Sequence, residues 1–534
     1  MGFLKWEPVE YGIGRSRARP VTPDVLRWDV PGDGPGVGEG SAAVVDDQFF
    51  DVVIIGAGIS GIGAAYRIRE RNPHVRYTIL ERRPRLGGTW DLFRYPGVRS
   101  DSDIFTLCFP WEPWTRPEMI VDGAHIRQYL ADTARKHRID KHIRFSTHVR
   151  SADWDSSTDT WTIRAERDGA DETYRCRFVF FGTGYYDYDN PYTPAFAGIQ
   201  DFAGEVVHPQ HWPESLDCTG KRVVVIGSGA TAVSLIPSLA RQAAHVTMLQ
   251  RTPSYMISAP QIEPTANLLR KLLPLKVAHW IIRWRNALIG VLLWEVSRRA
   301  PQYMKRRLRR IAERHLPAGY DIDTHFTPPY DPWDQRLCFV VGADLYKAIR
   351  RGAVDVVTDH IDHMDAHGIV LKSGRRLDAD VIVTATGLQL QALGGITISL
   401  DGEKINPHDR FVYRRHMLED VPNAAWCVGY TNASWTLGAD MTARSVAKLL
   451  EYMRTHGYTH AYPHLGDTDM PEQPAFNLQA GYVLRSLDVL PKSGTRRPWV
   501  ISHHFLRDAL DHRLRPIDDH MVFGRATAEQ RQSA

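Results

Sequence analysis

Two distant stretches of the chain share one plan: a short run of β-branched apolar residues, a glycine turn, then a helical stretch. The first is Asp51-Val-Val-Ile-Ile55, then Gly56-Ala-Gly58-Ile-Ser60-Gly61, with a helical pattern to about Glu70. Its next strand, Tyr77-Thr-Ile-Leu80, ends in Glu81. The second runs Arg222-Val-Val-Val-Ile226, Gly227-Ser-Gly229-Ala-Thr-Ala232, and returns as His245-Val-Thr-Met-Leu249. Such runs suit strands buried in a parallel sheet. In such a turn the first glycine permits the bend, the second lets backbone approach a pyrophosphate, and the third lets helix and strand pack closely. The phosphate then sits against the helix N-terminus. One turn is a weak signal. Two, each with its strands in place, predict an α/β chain with paired Rossmann-like dinucleotide-binding domains.

The two units differ where a ribose would lie. Glu81 stands twenty residues beyond Gly61, where a carboxylate accepts hydrogen bonds from a ribose diol and repels a 2′-phosphate. This suits the adenosine half of FAD or NAD. The second unit has Gln250, Arg251 and Thr252 instead; a guanidinium there favours a 2′-phosphate, hence NADP. Between the two turns lies Phe202-x-Gly204-x-x-x-His208-x-x-x-Trp212-Pro213. That order describes an enzyme holding a flavin and a nicotinamide together.

Phe178-Val-Phe-Phe-Gly182-Thr-Gly184 and Ala379 to Gly387 read as the two places where the chain crosses between the units. The expected organisation is a discontinuous FAD-binding domain, 49–187 and 385–515, enclosing an NADP-binding domain, 188–384. Residues 1–48, with the linker-like Pro31-Gly-Asp-Gly-Pro-Gly-Val-Gly-Glu-Gly40, are expected to be a poorly ordered extension. A helical insertion is expected over about 265–317. It carries thirteen Lys and Arg against Glu295 and Glu313, with Trp280, Ile281, Trp284, Leu288, Leu292 and Val296 at roughly helical spacing. Two readings stay open: packing on the body with a solvated basic face, or a surface resting on anionic lipid.

A net charge of +4 gives no reason to expect nucleic acid. The five cysteines form no Cys-x-x-Cys pair, which argues against a dithiol flavoprotein and a zinc site, and for a reduced cytoplasmic setting. No apolar run reaches the length of a membrane span, and no secretory leader is expected.

The segment Gly87-Gly88-Thr89-Trp90-Asp91-Leu92, then Arg94-Tyr-Pro-Gly-Val-Arg99-Ser100-Asp101, resembles the flavin-wrapping region of class B flavin-dependent monooxygenases. The Phe202–Pro213 string matches that family's fingerprint, and its Trp-Pro ending resembles the Baeyer–Villiger type. Asp101-Ser-Asp-Ile-Phe-Thr-Leu, Pro332-Trp-Asp-Gln-Arg336-Leu-Cys and Gly429-Tyr-Thr-Asn-Ala-Ser-Trp-Thr are similar to a mycobacterial subgroup. The likeness spans residues 50–515.

The resemblance implies FAD and NADPH as cofactors. Gly56, Gly58, Ser60, Gly61 and Glu81 would hold the ADP half of FAD, with Val149 at its adenine. Thr89, Trp90, Asp91 and Leu92 would lie along its pyrophosphate and flavin; Arg99, Ser100 and Asp101 would face flavin and nicotinamide. Ser228, Gly229, Ala230, Thr231, Ala232, Val233 and Ser234, with Arg251 and Thr252, would hold NADP. Arg336 matches the family's active-site arginine and Asp101 would orient it. Surface pairing of Arg336 and helix capping by Asp101 are the plainer readings. His208 and Trp212 are expected at the domain linker in structural roles. The activity implied is NADPH- and dioxygen-dependent insertion of oxygen beside a ketone carbonyl, giving an ester or lactone, with sulfoxidation of a thioether as a second activity. The alternatives are a sulfur- or nitrogen-oxidising flavin monooxygenase and a non-catalytic flavin/NADPH-binding redox sensor.

Overall fold

The apolar run Asp51–Ile55 sits in the middle of a nine-stranded mixed sheet, in a computed structural model describing residues 48–466, 469–476 and 478–526. The extension expected over 1–48 lies outside these residues, Gln48 excepted. Strand Gln48–Ile55 runs parallel between Tyr77–Leu80 and Ala170–Phe181, with Val53 level with Thr78 and Val179. Val52, Val53 and Ile54 are fully buried, which explains a continuous apolar run where alternation would mark a one-sided strand. Ile143–Arg144 and Ala424–Trp426 extend the parallel part. The first half of Ala170–Phe181 instead joins an antiparallel meander with Thr160–Arg167 and Thr147–Asp155. Helices Ile59–Arg71 and Trp435–His456 pack together beside this sheet.

The second sheet is all parallel, in the order Val354–Thr358, His245–Gln250, Arg222–Ile226, Val381–Thr384, Glu205–Val207. Helices Ala230–Leu239 and Asp344–Arg350 lie against one another in its core cluster. Both sheets belong to one compact unit. The chain leaves the first sheet after Phe181 and the second after Thr384. The Phe202–Pro213 string ties these crossings together. His208 Nε2 lies 3.3 Å from the Gly387 carbonyl, and Gln210 Nε2 donates to the Asp187 carbonyl at 2.8 Å. Burial pushes the His208 imidazole down to about 4, so it is neutral at pH 7 and works as a clip.

The insertion forms three helices, Pro264–Leu272, Leu275–Arg299 and Pro301–His315. The long one crosses to the first sheet's side and lies along the short helix Ile104–Leu107. There the buried Arg283 donates through Nη1 to the carbonyls of Phe105, Thr106 and Cys108 at 3.2, 2.9 and 2.7 Å. Carbonyls at a helix C-terminus lack intrahelical partners and carry partial negative charge, which gives this buried cation its compensation. Ordered structure continues past 515: Met521–Gly524 pairs antiparallel with His460–Pro463. Among the described residues no helix is long and apolar enough to cross a membrane.

Candidate active site

The two glycine turns open onto one cavity of about 910 Å³ between the sheets. In the first turn Gly56 has φ +101°, and a Cβ there would sit 2.7 Å from the Gly182 carbonyl oxygen. A Cβ on Gly61 would run into the Gly56 carbonyl. Both positions therefore exclude a side chain, Gly56 on conformation and Gly61 on space. Glu81 closes the turn: its carboxylate accepts from Ala57 N at 2.7 Å and Arg83 N at 2.9 Å. Burial raises its pKa against those two hydrogen bonds. Gly58, Ser60, Thr89, Trp90 and Val149 also reach the cavity wall, and the Ser60 hydroxyl accepts from Trp435 Nε1 at 2.8 Å.

The second turn repeats the plan. Gly227 has φ +131° and abuts the Ala385 carbonyl, whereas a Cβ on Gly229 would meet open space. Helix Ala230–Leu239 starts there, with Ala230, Thr231 and Ser234 at the cavity wall. Ser228 Oγ fixes the turn through the Thr252 carbonyl at 3.1 Å and Ser254 Oγ at 2.9 Å. Arg251 is exposed at the cavity edge and has no ion pair among the described residues. Its neighbour Gln250 is buried and bonded to the His325 carbonyl and Thr358 Oγ1.

Between the turns, Arg336 and Asp101 form an ion pair of 2.7 Å on the cavity wall. Asp101 holds the guanidinium charged, well above the usual arginine pKa, against the cost of burial. The capping position at helix Ile104–Leu107 falls to Asp103, which accepts from Thr106 N at 3.0 Å. Arg99, also lining the cavity, bonds Asp344 at 2.5 Å across the domains, and Ser100 pairs with Val121 through backbone and hydroxyl.

Some of the expected residues do not face the cavity. Gly61, Ala232 and Val233 lie behind it, packing helix on strand. Asp91 and Leu92 are buried away from it. The Asp91 carboxylate receives Arg83, Arg85, Arg94 and Arg127 at 2.6–3.2 Å. Burial alone would raise its pKa, but these guanidinia lower it. Asp91 thus knots together the segment from Arg83 to Arg94 and the helix that carries Arg127.

Sequence reasoning missed an aromatic wall beside Arg336. Tyr185 stacks on Trp435 with centroids 4.9 Å apart, its hydroxyl lies 2.8 Å from that of Tyr186, and Tyr482 lies near the same guanidinium. Tyr185 and Tyr186 directly follow Gly182-Thr-Gly184, and Trp435 belongs to the Gly429 string, so position beside a motif was the available signal. Tyr482 carries none. The five cysteines are buried and free, and burial pushes the thiols of Cys108, Cys338 and Cys427 up to about 12. Thiols so placed are inert at neutral pH.

Residues 50–285 match the FMO-like (flavin-binding monooxygenase-like) family. The FAD-containing monooxygenase EthA of Mycobacterium tuberculosis is 48% identical over 473 residues, covering 88% of this chain and 97% of EthA. The chain belongs to the flavin-binding monooxygenase-like family. EthA of Mycolicibacterium smegmatis is 46% identical over 474 residues, 88% of this chain and 96% of that protein. Among solved structures, an oxidized steroid monooxygenase bound to NADP superposes with a TM-score of 0.72 at 21% identity, covering 90% of this chain and all of that one. The fold is therefore the mixed α/β fold of these monooxygenases, with two Rossmann-type domains.

Proposed function

We propose that this flavin monooxygenase uses FAD, NADPH and dioxygen to insert an oxygen atom beside a ketone carbonyl, giving an ester or lactone. The observation that carries the reading is the Arg336–Asp101 pair, set on a cavity wall that both glycine turns share. FAD fits the first turn: Glu81 and the N-terminus of helix Ile59–Arg71 suit a ribose diol and a pyrophosphate, and Gly56 and Gly61 admit no side chain there. NADPH fits the second, where open space before Gly229 meets helix N–H groups and Arg251 is unpaired among the described residues. The names of EthA as FAD-containing and of the steroid monooxygenase as NADP-bound support the same assignment. Bound there, FAD supplies electron transfer from NADPH and the activation of dioxygen.

The chain's own part is positioning and charge. Arg336 presents a fixed cation where negative charge develops on an attacked carbonyl oxygen, and in a walled-off site such a charge counts for far more than in water. Asp101 positions it and keeps it turned to the cavity. Tyr185, Tyr186 and Tyr482 give the wall an aromatic surface suited to an apolar ketone. The Asp91 knot and the Trp435–Ser60 bond hold the flavin-side backbone still. Sulfoxidation of a thioether is proposed as a secondary activity that draws less on the cation, and the buried free cysteines support a cytoplasmic enzyme. The test is NADPH consumption under air with linear, cyclic and aryl ketones and one thioether, measuring products and hydrogen peroxide together. Ester or lactone formed in step with NADPH use is expected. Oxidation of the thioether alone would assign the chain to sulfur oxidation, and NADPH loss matched only by peroxide would remove the oxygenation reading.

A further inference from the structure

Large apolar side chains left exposed among the described residues are concentrated in one place. Ten of fifteen fall between Ile262 and Tyr303. On helix Leu275–Arg299, at about 100° per residue, Val277, Trp280, Leu288 and Leu292 share the outward face, opposite the buried His279, Ile282 and Arg283. Trp280 is 62% exposed, Leu292 63% and, on the preceding helix, Leu272 69%. Helix Phe505–Leu514, packed alongside through Phe505 and Trp284, adds Leu510 and Leu514. A monomer surrounded by water rarely leaves so much contiguous apolar surface open.

On the insertion the charges left without an ion pair among the described residues are of one sign. Glu263 and Glu295 are already paired, with Arg285 and Arg299. Lys271 and Lys276 stand beside the exposed Leu272 and Leu275 with no ion pair among the described residues, and Arg306, Arg307 and Arg310 on helix Pro301–His315 are likewise exposed with none. A second copy seated by two-fold symmetry would press these cations against their own kind, since such an interface apposes identical patches. An anionic lipid surface instead offers an apolar layer for the leucines, phosphates for the lysines and the boundary that tryptophan favours. Among the described residues no helix is both long and apolar enough to cross, so contact would be in the plane of the surface.

We propose that the outer face of the insertion docks on an anionic bilayer, with Trp280, Leu288 and Leu292 entering the headgroup–acyl boundary and Lys271 and Lys276 against lipid phosphates. This contact is independent of which substrate the cavity takes. The test is flotation of the flavin-loaded, full-length protein with vesicles of phosphatidylcholine alone or mixed with phosphatidylglycerol. Binding is expected to the mixed vesicles, weakening as salt screens the lysines. Lys271→Glu with Lys276→Glu should lose at least about twentyfold in partitioning, about fivefold for each cation. Trp280→Ser with Leu292→Ser should lose about tenfold or more, by removing buried apolar area. Retained flavin absorbance and melting temperature mark each variant as folded, and the lysine pair stands as the second variant should the apolar one misfold. Equal binding to both vesicles, binding to neither, or undiminished binding by the folded variants would overturn the proposal. So would a dimer, seen by light scattering, that Trp280→Ser dissolves.

Discussion

Arg336 has two carboxylates on its own loop, Asp331 and Asp334, yet pairs with Asp101. The reason lies in the insertion: Arg298 takes Asp334 at 2.6 Å and Lys305 takes Asp331 at 2.7 Å, leaving Arg336 to face the cavity and pair with Asp101. Arg298→Ala should loosen this loop and lower turnover several-fold with little change in bound FAD, measured as kcat beside the flavin spectrum. Arg251, exposed at the cavity edge, is the cation proposed to meet the 2′-phosphate. Arg251→Ala should raise KM for NADPH about tenfold to hundredfold, the worth of a charge-assisted contact of about 1.5–3 kcal/mol, and leave the NADH reaction nearly unchanged; equal penalties for both coenzymes would place the 2′-phosphate elsewhere. The places of Glu81 and Arg251 at the two turns were legible in the sequence because a motif fixes their distance from the glycines. Asp91 was not, since nothing local says that Arg83, Arg85, Arg94 and Arg127 converge on it. Tyr482 reaches the wall only through tertiary packing.

At the scale of elements, the two turns make contrasting predictions. Gly61→Ala places a methyl against the Gly56 carbonyl, so the purified protein should lose most of its FAD, read from the ratio of flavin to protein absorbance. Gly229→Ala meets open space, so folding and flavin content should be unchanged while KM for NADPH rises, because the methyl stands where the pyrophosphate would approach the backbone. A Gly229→Ala enzyme with normal KM would deny that turn its coenzyme role. The strands were readable because full burial in a parallel sheet leaves an uninterrupted apolar run, as in Val52 to Ile55. The insertion was readable as helices but not in its docking. Its helical spacing gives an apolar stripe without saying that Arg283 is a buried cation capping Ile104–Leu107, or that the stripe holding Trp280 and Leu288 faces outward. The strand Met521–Gly524 was also illegible, since it is short and pairs only with His460–Pro463.

For the whole molecule, acid should be destabilising in a defined window. Burial pushes His279 and His416 down to about 4, against about 6.5 in an unfolded chain. Between those values the unfolded state binds more protons, so this stability is fully present above about pH 6.5 and lost as pH falls toward 4. Each of these two nearly inaccessible histidines contributes on the order of 3 kcal/mol over that range, so the melting temperature should fall steeply there, and His416→Gln should flatten the fall. A melting temperature that stays constant from pH 7 to about 4.5 would contradict it. At this scale the proposed function has a cavity shared by the two glycine turns direct oxygen onto a carbonyl through Arg336. The most direct measurement compares the native enzyme with Arg336→Ala, following flavin reduction by NADPH in stopped flow and ester formed from one cyclic ketone. Reduction should proceed within a few-fold of normal while ester yield falls about a hundredfold to a thousandfold, with hydrogen peroxide in its place; undiminished ester from Arg336→Ala would contradict the account.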